Sequence, residues 1–422
     1  MKRILKMSLA EEEKIVQKKK IIFICAVIIN FFSSMSAVIV PGATFSALQQ
    51  DPGLNASVIT SLSAFYMYAY AASQLCLGVL ATKICSIGIL LTGSAVFSIS
   101  TILFPFCSAP WMLLALRLLN GASSGAIFIA ITKMITELYS KHFAGVLGVI
   151  MFLGYLGMVS GGFPAAYLVD KFGWRKVIFM SGLASTISTV GAMLFSRNTL
   201  EATQPGSAFS GLVDIVKNRN VIRIFISSGI VFGIYYTILS VIGQKSLEDF
   251  GHFSSGSASA IVSGMAVIVS FGNLATGVIM KWCGSRRRMP LVTIAAVSLF
   301  CMLIGLLCCY LRLSGWILAF TYLAVAVSGG TFSIYSSVVK TYYPDNLAAL
   351  AVAILNCVAF LFIALAGNGA GIVFSLGGGA NADGKFSPEL YGHLFSLFAF
   401  LAFLAIMLIP KESSSSKSTT EV

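Results

Sequence analysis

Residues 289–310 read MPLVTIAAVSLFCMLIGLLCCY, a run without a charged residue, bounded by Arg286, Arg287 and Arg288 on one side and Arg312 on the other. About 20 apolar residues in a helix cross the hydrocarbon of a bilayer. In lipid every backbone polar group needs an internal partner, so a lone spanning run of this kind is a helix. A membrane barrel would show segments of about ten residues with alternating polarity. This run does not alternate.

The same pattern recurs on both sides. Spans are expected at 21–46, 55–82, 86–106, 110–135, 144–168 and 175–196, then at 220–243, 256–281, 289–310, 315–340, 347–375 and 389–410. The fold class expected is therefore an all-α integral membrane protein with twelve transmembrane helices in two six-helix halves. Composition agrees. Apolar residues make up 57% of the 422 and charged residues 10%, against about 25% charged in a soluble domain. Mean hydropathy is +0.91. The parts expected are a cytoplasmic tail at 1–20, a first half at 21–196, a cytoplasmic linker at 197–219, a second half at 220–410 and a cytoplasmic tail at 411–422. The C-terminal Ser413 to Thr420 tract is polar and low in complexity. The stretch Lys2 to Lys20 mixes basic and apolar residues and reads either as an interfacial helix or as a solvated tail.

A net charge of +13 could suggest nucleic acid as a partner. The basic residues instead sit at span ends, where they set orientation, and no nucleic-acid partner is expected. With the N-terminus inside, the outer segments carry only Lys171, Arg175, Lys176, Lys245, Arg312 and Lys385, while the inner ones carry nearly all the rest. Both termini are thus expected in the cytoplasm and the protein in the cell (inner) membrane. The nine cysteines lie mostly in apolar runs without metal-ligand spacing and read as small reduced hydrophobes. No metal or cofactor is expected.

A repeat supports the two halves. The second span ends in Gly78-Val79-Leu80-Ala81-Thr82-Lys83, and the eighth in Gly277-Val278-Ile279-Met280-Lys281-Trp282. Parallel helical repeats around a midplane site are a transporter architecture. These stretches, with Arg286 and Arg287 after the second copy, resemble the G-x-x-x-D-R-x-G-R-R loop of the major facilitator superfamily. Thr82 and Lys281 stand at the aspartate position, which puts the family's gating latch in doubt. Arg117-Leu118-Leu119-Asn120-Gly121 resembles the family's R-x-x-x-G in span four. Gly154, Gly157, Gly161, Gly162 and Pro164 resemble its glycine-rich span five, and Phe172-Gly173-Trp174-Arg175 its span five to six turn. Tyr343-Pro344-Asp345, followed by Asn356, resembles the start of span eleven. A competing alignment puts the signature on Asp170-Lys171-Phe172-Gly173-Trp174-Arg175-Lys176, which would shift the span count by one. The charge bias and the repeat favour the loop at Gly78. The resemblance covers about Ile21 to Pro410. It implies alternating access between two halves, with spans one, four, seven and ten lining the cavity.

Arg117 is the only Lys or Arg placed well inside a span. An intramembrane charge is costly and usually faces a bundle interior or a wet cavity. It reads either as an anion-binding group or as a structural arginine on backbone carbonyls. No Asp or Glu is expected at membrane depth, so carboxylate-driven proton symport is disfavoured and an anionic substrate becomes a candidate partner for Arg117. Tyr66, Tyr70 and Gln74 repeat every four residues and share one helix face. Asn30, Tyr235, Tyr236, Tyr335 and Asn356 are further polar groups in spans, which need interhelical or substrate partners. Together these are the candidate substrate-binding residues. Gly78, Lys83, Gly154, Gly157, Gly161, Gly162, Gly277, Arg286 and Arg287 are the candidate gating and packing residues.

The function expected is secondary transport of a small solute, an organic anion or other metabolite, by a single chain in the bilayer. The Tyr66-Met67-Tyr68-Ala69-Tyr70 run with Gln74 resembles branches of the family that carry organic anions. The alternatives are a drug or metabolite exporter and a receptor-like member that does not transport. An enzyme is disfavoured, because His142, His252 and His393 lie near loops and no catalytic set or phosphate loop is present.

Overall fold

The computed structural model describes residues 2–40, 44–48, 51, 54, 56–81, 83–196, 208–330, 332–376 and 385–411. Thr82, residues 197–207 of the linker, the glycine-rich stretch 377–384 and the C-terminal tail from 412 lie outside the described residues. The described chain is helical almost throughout. Among those residues ten helices are long and apolar enough to cross a membrane, and Ala64–Leu80 is a shorter apolar helix. One of the ten, Pro110–Ser160, runs 51 residues. At 1.5 Å per residue that is roughly 75 Å, more than two hydrocarbon thicknesses. It breaks at the tight turn Ser140–His142, as two crossings require. The all-α membrane architecture follows, and twelve crossings fit within it.

Contacts divide the chain into two compact units, Met1–Val213 with Tyr343–Cys357, and Asp214–Tyr342 with Val358–Val422. The first unit holds α1 (Lys2–Ile39), α2 (Phe45–Leu48), α3 (Ala56–Leu80), α4 (Ser86–Leu103), α5 (Pro110–Tyr139), α6 (Phe143–Ser160), α7 (Phe163–Phe172) and α8 (Trp174–Ser196), and α9 (Ala208–Lys217) is divided between the two units at Val213. The helix α1 continues from the basic N-terminal stretch into the first span without a break. Several helix starts have local causes. Cys85 caps α4 by accepting from the Gly88 N–H, and Pro110 occupies the first turn of α5, where its missing donor costs nothing.

Helix ends in the first unit fall into two groups. At one end Arg175 donates to Asp51 at 2.8 Å and to the Pro105 carbonyl at 3.1 Å, joining the connections after α2, α4 and α7. At the other, Lys133 of α5 donates to the carbonyls of Ala81 and Ile84, both at 2.7 Å. Ser86 donates to Glu137 at 2.7 Å. The turn at Gly173 and the loop after Gly78 therefore join different groups of connections. A lysine and a glutamate one helical turn apart on α5 hold the loop whose aspartate position is occupied by Thr82.

Small residues set the spacing of these helices. A Cβ on Gly157 would overlap the Phe31 carbonyl oxygen, and one on Gly161 would come within 2.6 Å of the Met35 carbonyl oxygen. Both pairs are four residues apart, so α6 lies backbone to backbone on α1. Gly162 does not pack this way. It has φ −88 and ψ −117 and ends the run, and Pro164 opens α7. The fifth span thus bends where glycine and proline remove the helical constraint.

The second unit holds α10 (Arg219–Thr237), α11 (Gly243–Asp249), α12 (Ser255–Leu274), α13 (Thr276–Cys283), α14 (Arg288–Leu311), α15 (Gly315–Gly329), α16 (Phe332–Lys340), most of α17 (Asp345–Leu376) and α18 (Pro388–Leu408). A π-helical turn at Ile238–Ile242 joins α10 to α11. Ser254, Ser314 and Ser387 cap α12, α15 and α18. The first turns of α17 group with the first unit. There Ala353 lies close enough that a Cβ on Gly78 would meet its own at 2.9 Å.

Two tests follow from the packing. Gly157→Leu forces α6 off α1 and should cost about 1–3 kcal/mol, read as a clear fall in melting temperature in detergent. Gly162→Ala should cost less, and equal losses would contradict the packing described. Lys133→Met should raise hydrogen exchange at residues 81–86 and leave the turn around Gly173 unchanged.

Candidate functional site

The R-x-x-x-G spacing on α5 has a mechanical basis. Arg117 and Gly121 are one turn apart and share a face. A Cβ on Gly121 would overlap the Tyr66 carbonyl oxygen, so glycine lets α5 settle on α3 at that residue. This contact brings the Arg117 guanidinium over the Tyr66 ring, 4.4 Å from its centroid. Arg117 is 0% exposed.

Its partners are carbonyls. Nε donates to the Leu62 carbonyl oxygen at 3.1 Å, and Nη1 donates to the Ser36 carbonyl oxygen at 3.1 Å and to Ser36 Oγ at 3.3 Å. Ser36 is in the last turn of α1, where carbonyls lack helical donors and a positive charge meets the favourable end of the helix dipole. The Tyr66 hydroxyl donates to the Ser33 carbonyl oxygen at 3.1 Å. Three helices thus meet on one cation. The Nη2 nitrogen is buried and has no hydrogen-bond partner among the described residues.

The polar chain continues from there. The rings of Tyr66 and Tyr70 stack at 6.5 Å and 13°, and Asn356 Nδ2 donates to the Tyr70 hydroxyl at 3.3 Å. Of the residues named from the sequence, Arg117, Tyr66, Tyr70 and Asn356 come together. The residues that complete the site, Ser33, Ser36 and Leu62, act mainly through backbone carbonyls and have no sequence signature.

Gln74 lies further along α3. It is 0% exposed, and its Nε2 donates to the Gly125 carbonyl at 3.4 Å while Oε1 has no partner among the described residues. The second unit has a counterpart. Gln74 precedes Gly78 by four residues, and Asn273 precedes Gly277 by four. Asn273 is 0% exposed and accepts from Ser333 Oγ at 2.7 Å. The internal repeat therefore extends to a buried amide in each unit, which sequence reading missed because the two amides differ.

The other candidates stand apart from the arginine. Asn30 lies against Gly154, whose Cβ would sit 3.2 Å from its amide nitrogen. In the second unit Tyr235 is buried with its ring against Gly329, and it groups with Phe232 and the half-buried Tyr236. Tyr335 shares a hydrogen bond with Ser227 at 3.2 Å. Lys83, Arg286 and Arg287 are exposed, and Gly277 is half-buried.

Every Asp and Glu is expected in loops, tails or span ends, yet Asp249, beyond the seventh span, is buried within the protein at 8% exposed. It pairs with Lys245 four residues earlier, and accepts from the Tyr391 hydroxyl at 2.8 Å and the Phe386 N–H at 3.0 Å. The helical path continues past the apolar run through the π turn, which carries Asp249 under α18. A carboxylate is buried this way when ion pairing and hydrogen bonds satisfy it.

Comparisons with known proteins agree with this architecture. The chain is 29% identical to the gallate transporter of Pseudomonas putida over 164 residues, covering 39% of this chain and 36% of that protein. It is 26% identical to the 4-hydroxybenzoate transporter PcaK of Pseudomonas aeruginosa over 172 residues, 40% of this chain and 38% of that one. The match thus spans well under half the length of each. An uncharacterized transporter of Buchnera aphidicola is 27% identical over 271 residues, covering 59% of this chain and 64% of that protein. The fucose:proton symporter FucP of E. coli superposes with a TM-score of 0.70 at 12% identity, covering 93% of this chain and 99% of that one, and so shares the fold. The sequence model of the Major Facilitator Superfamily matches residues 22–367, and with the helical architecture around Arg117 this establishes that the chain belongs to that superfamily.

Proposed function

We propose that the protein is a secondary transporter of small organic anions, with aromatic carboxylates as the leading class. The observation that carries this reading is Arg117. It is a fully buried cation whose Nη2 has no partner and which meets no carboxylate among the described residues. Carbonyls and a ring face lower the cost of burying the charge but leave it uncompensated. A substrate carboxylate would supply the missing charge and accept from Nη2. The neighbouring Tyr66 and Tyr70 rings offer an aromatic wall of the kind that suits a benzoate ring. Two relatives are named for gallate and 4-hydroxybenzoate, which supports the same class.

Transport follows from burial. In the conformation described, Arg117 is closed off, so an anion reaches Nη2 only when α1, α3 and α5 or their neighbours rearrange. Binding then favours the rearranged state by its differential affinity. Within this reading the contact of Gly78 with Ala353 is a closing surface, the glycines of α6 are a sliding surface, and Lys83, Gly277, Arg286 and Arg287 belong to the membrane-edge loops. The chain works as a monomer in the cell's inner membrane with both termini cytoplasmic, an orientation supported by the Lys and Arg distribution.

Uptake of labelled 4-hydroxybenzoate into proteoliposomes tests the reading. Benzoate should compete and neutral benzamide should not. A hydrogen bond to a charged group contributes about 1.5–3 kcal/mol, so Arg117→Gln should weaken anion binding by about 10–100-fold. Arg117→Lys keeps the charge but loses the planar fork, and should recover only part. Undiminished uptake by a folded Arg117→Gln protein would sink the proposal. Tyr70→Phe removes the bond from Asn356 and keeps the ring, and should cost a few-fold, in line with about 0.5–1.5 kcal/mol for a neutral hydrogen bond.

A further inference from the structure

Away from Arg117, the first unit carries a trough of ≈ 570 Å³ between α1, α7 and α8. Its walls are almost wholly hydrocarbon, including Phe32 and Met35 of α1, Leu168 and Phe172 of α7, and Met180 of α8. The bend at Gly161 and Gly162 turns α7 out of line with α6 beside it. The open side is apolar as well, with Leu168 39%, Phe172 56% and Met180 60% exposed. In a chain that spans a bilayer, such a surface faces acyl chains or is covered by them.

One end of the trough carries a single charge. Lys176 lies in the first turn of α8, at a membrane edge, and lines the cavity. Its basic neighbours are engaged elsewhere. Arg175 is held by Asp51 and the Pro105 carbonyl, and Lys171 lies over the Tyr167 ring at 4.9 Å. Lys176 is exposed and makes no ion pair or hydrogen bond with any described residue. From Lys176 to Met180 and Ser181 the trough descends between one and two helical turns, roughly 7 Å. A lone ammonium at the interface above an apolar slot complements an anionic headgroup above an acyl chain.

We infer that this trough is a specific site for a membrane phospholipid with an anionic headgroup, its phosphate on Lys176 and the first part of one acyl chain against Phe32, Met35 and Met180. The site is separate from the residues assigned to the solute. A neutral zwitterionic lipid fills the slot but gains less from Lys176, so headgroup preference is the signature.

Native mass spectrometry of the full chain, released from nanodiscs of equal phosphatidylglycerol and phosphatidylcholine, reads this directly. The unaltered protein should retain phosphatidylglycerol several-fold over phosphatidylcholine. Lys176→Gln should abolish the preference while still retaining lipid. Ser181→Phe, which places a ring in the trough, should lower retention of both lipids, with an unchanged melting temperature in detergent confirming that it folds. Equal retention of the two lipids by the unaltered protein would overturn the inference, and so would a preference that survives Lys176→Gln. Release of a doubled mass in place of a lipid adduct would assign the trough to a contact between two copies and overturn it as well.

Discussion

The cost of holding Arg117 inside the membrane organises the first unit. A guanidinium in hydrocarbon is tolerated only where its donors find acceptors, and the acceptors here are main-chain carbonyls from α1 and α3. Main-chain acceptors require the helices to come close. Between α5 and α3 that closeness rests on Gly121, and α6 packs on α1 in the same way through Gly157 and Gly161. The charge and Gly121 are thus parts of one arrangement. The cation needs carbonyls, and α3 comes within reach because α5 carries no side chain where the two cross.

The two units solve the problem of buried polarity differently. In the first, a cation is held without an anion among the described residues. In the second, the anion Asp249 is held by Lys245, Tyr391 and the Phe386 amide, a closed set in which the oxygens are satisfied. A satisfied buried pair favours one arrangement. An incompletely satisfied cation is poised to take a further partner. This contrast supports the proposal that the solute chemistry lies with Arg117 and a structural role with Asp249. The paired amides Gln74 and Asn273 follow the same division, since the Gln74 oxygen has no partner among the described residues while Asn273 is engaged at both ends.

The loop after α3 shows how a degenerate motif can remain anchored. The position where the family signature has an aspartate is Thr82. Lys133 and Glu137, one turn apart on α5, hold the flanking residues Ala81, Ile84 and Ser86 instead. A motif read along the chain compares only sequence neighbours. The anchoring groups lie about fifty residues away, so loss of the aspartate does not mean loss of the contact.

By itself the sequence determined what depends on neighbouring residues. Membrane spans are legible because the bilayer asks for about 20 apolar residues in succession, and Arg117 stands out because such a run excludes charge. The face shared by Tyr66 and Tyr70 is legible from helical spacing, and the glycine-rich fifth span from composition. Tertiary structure alone decided which polar groups meet. It brought Asn356 to Tyr70 across 286 positions and Ser36 to Arg117 across 81. It buried Asp249 beyond the end of an apolar run and gave Lys133 a loop to hold. Hydropathy is a property of a segment, whereas a hydrogen bond between helices depends on where two backbones cross, and no local pattern encodes that crossing.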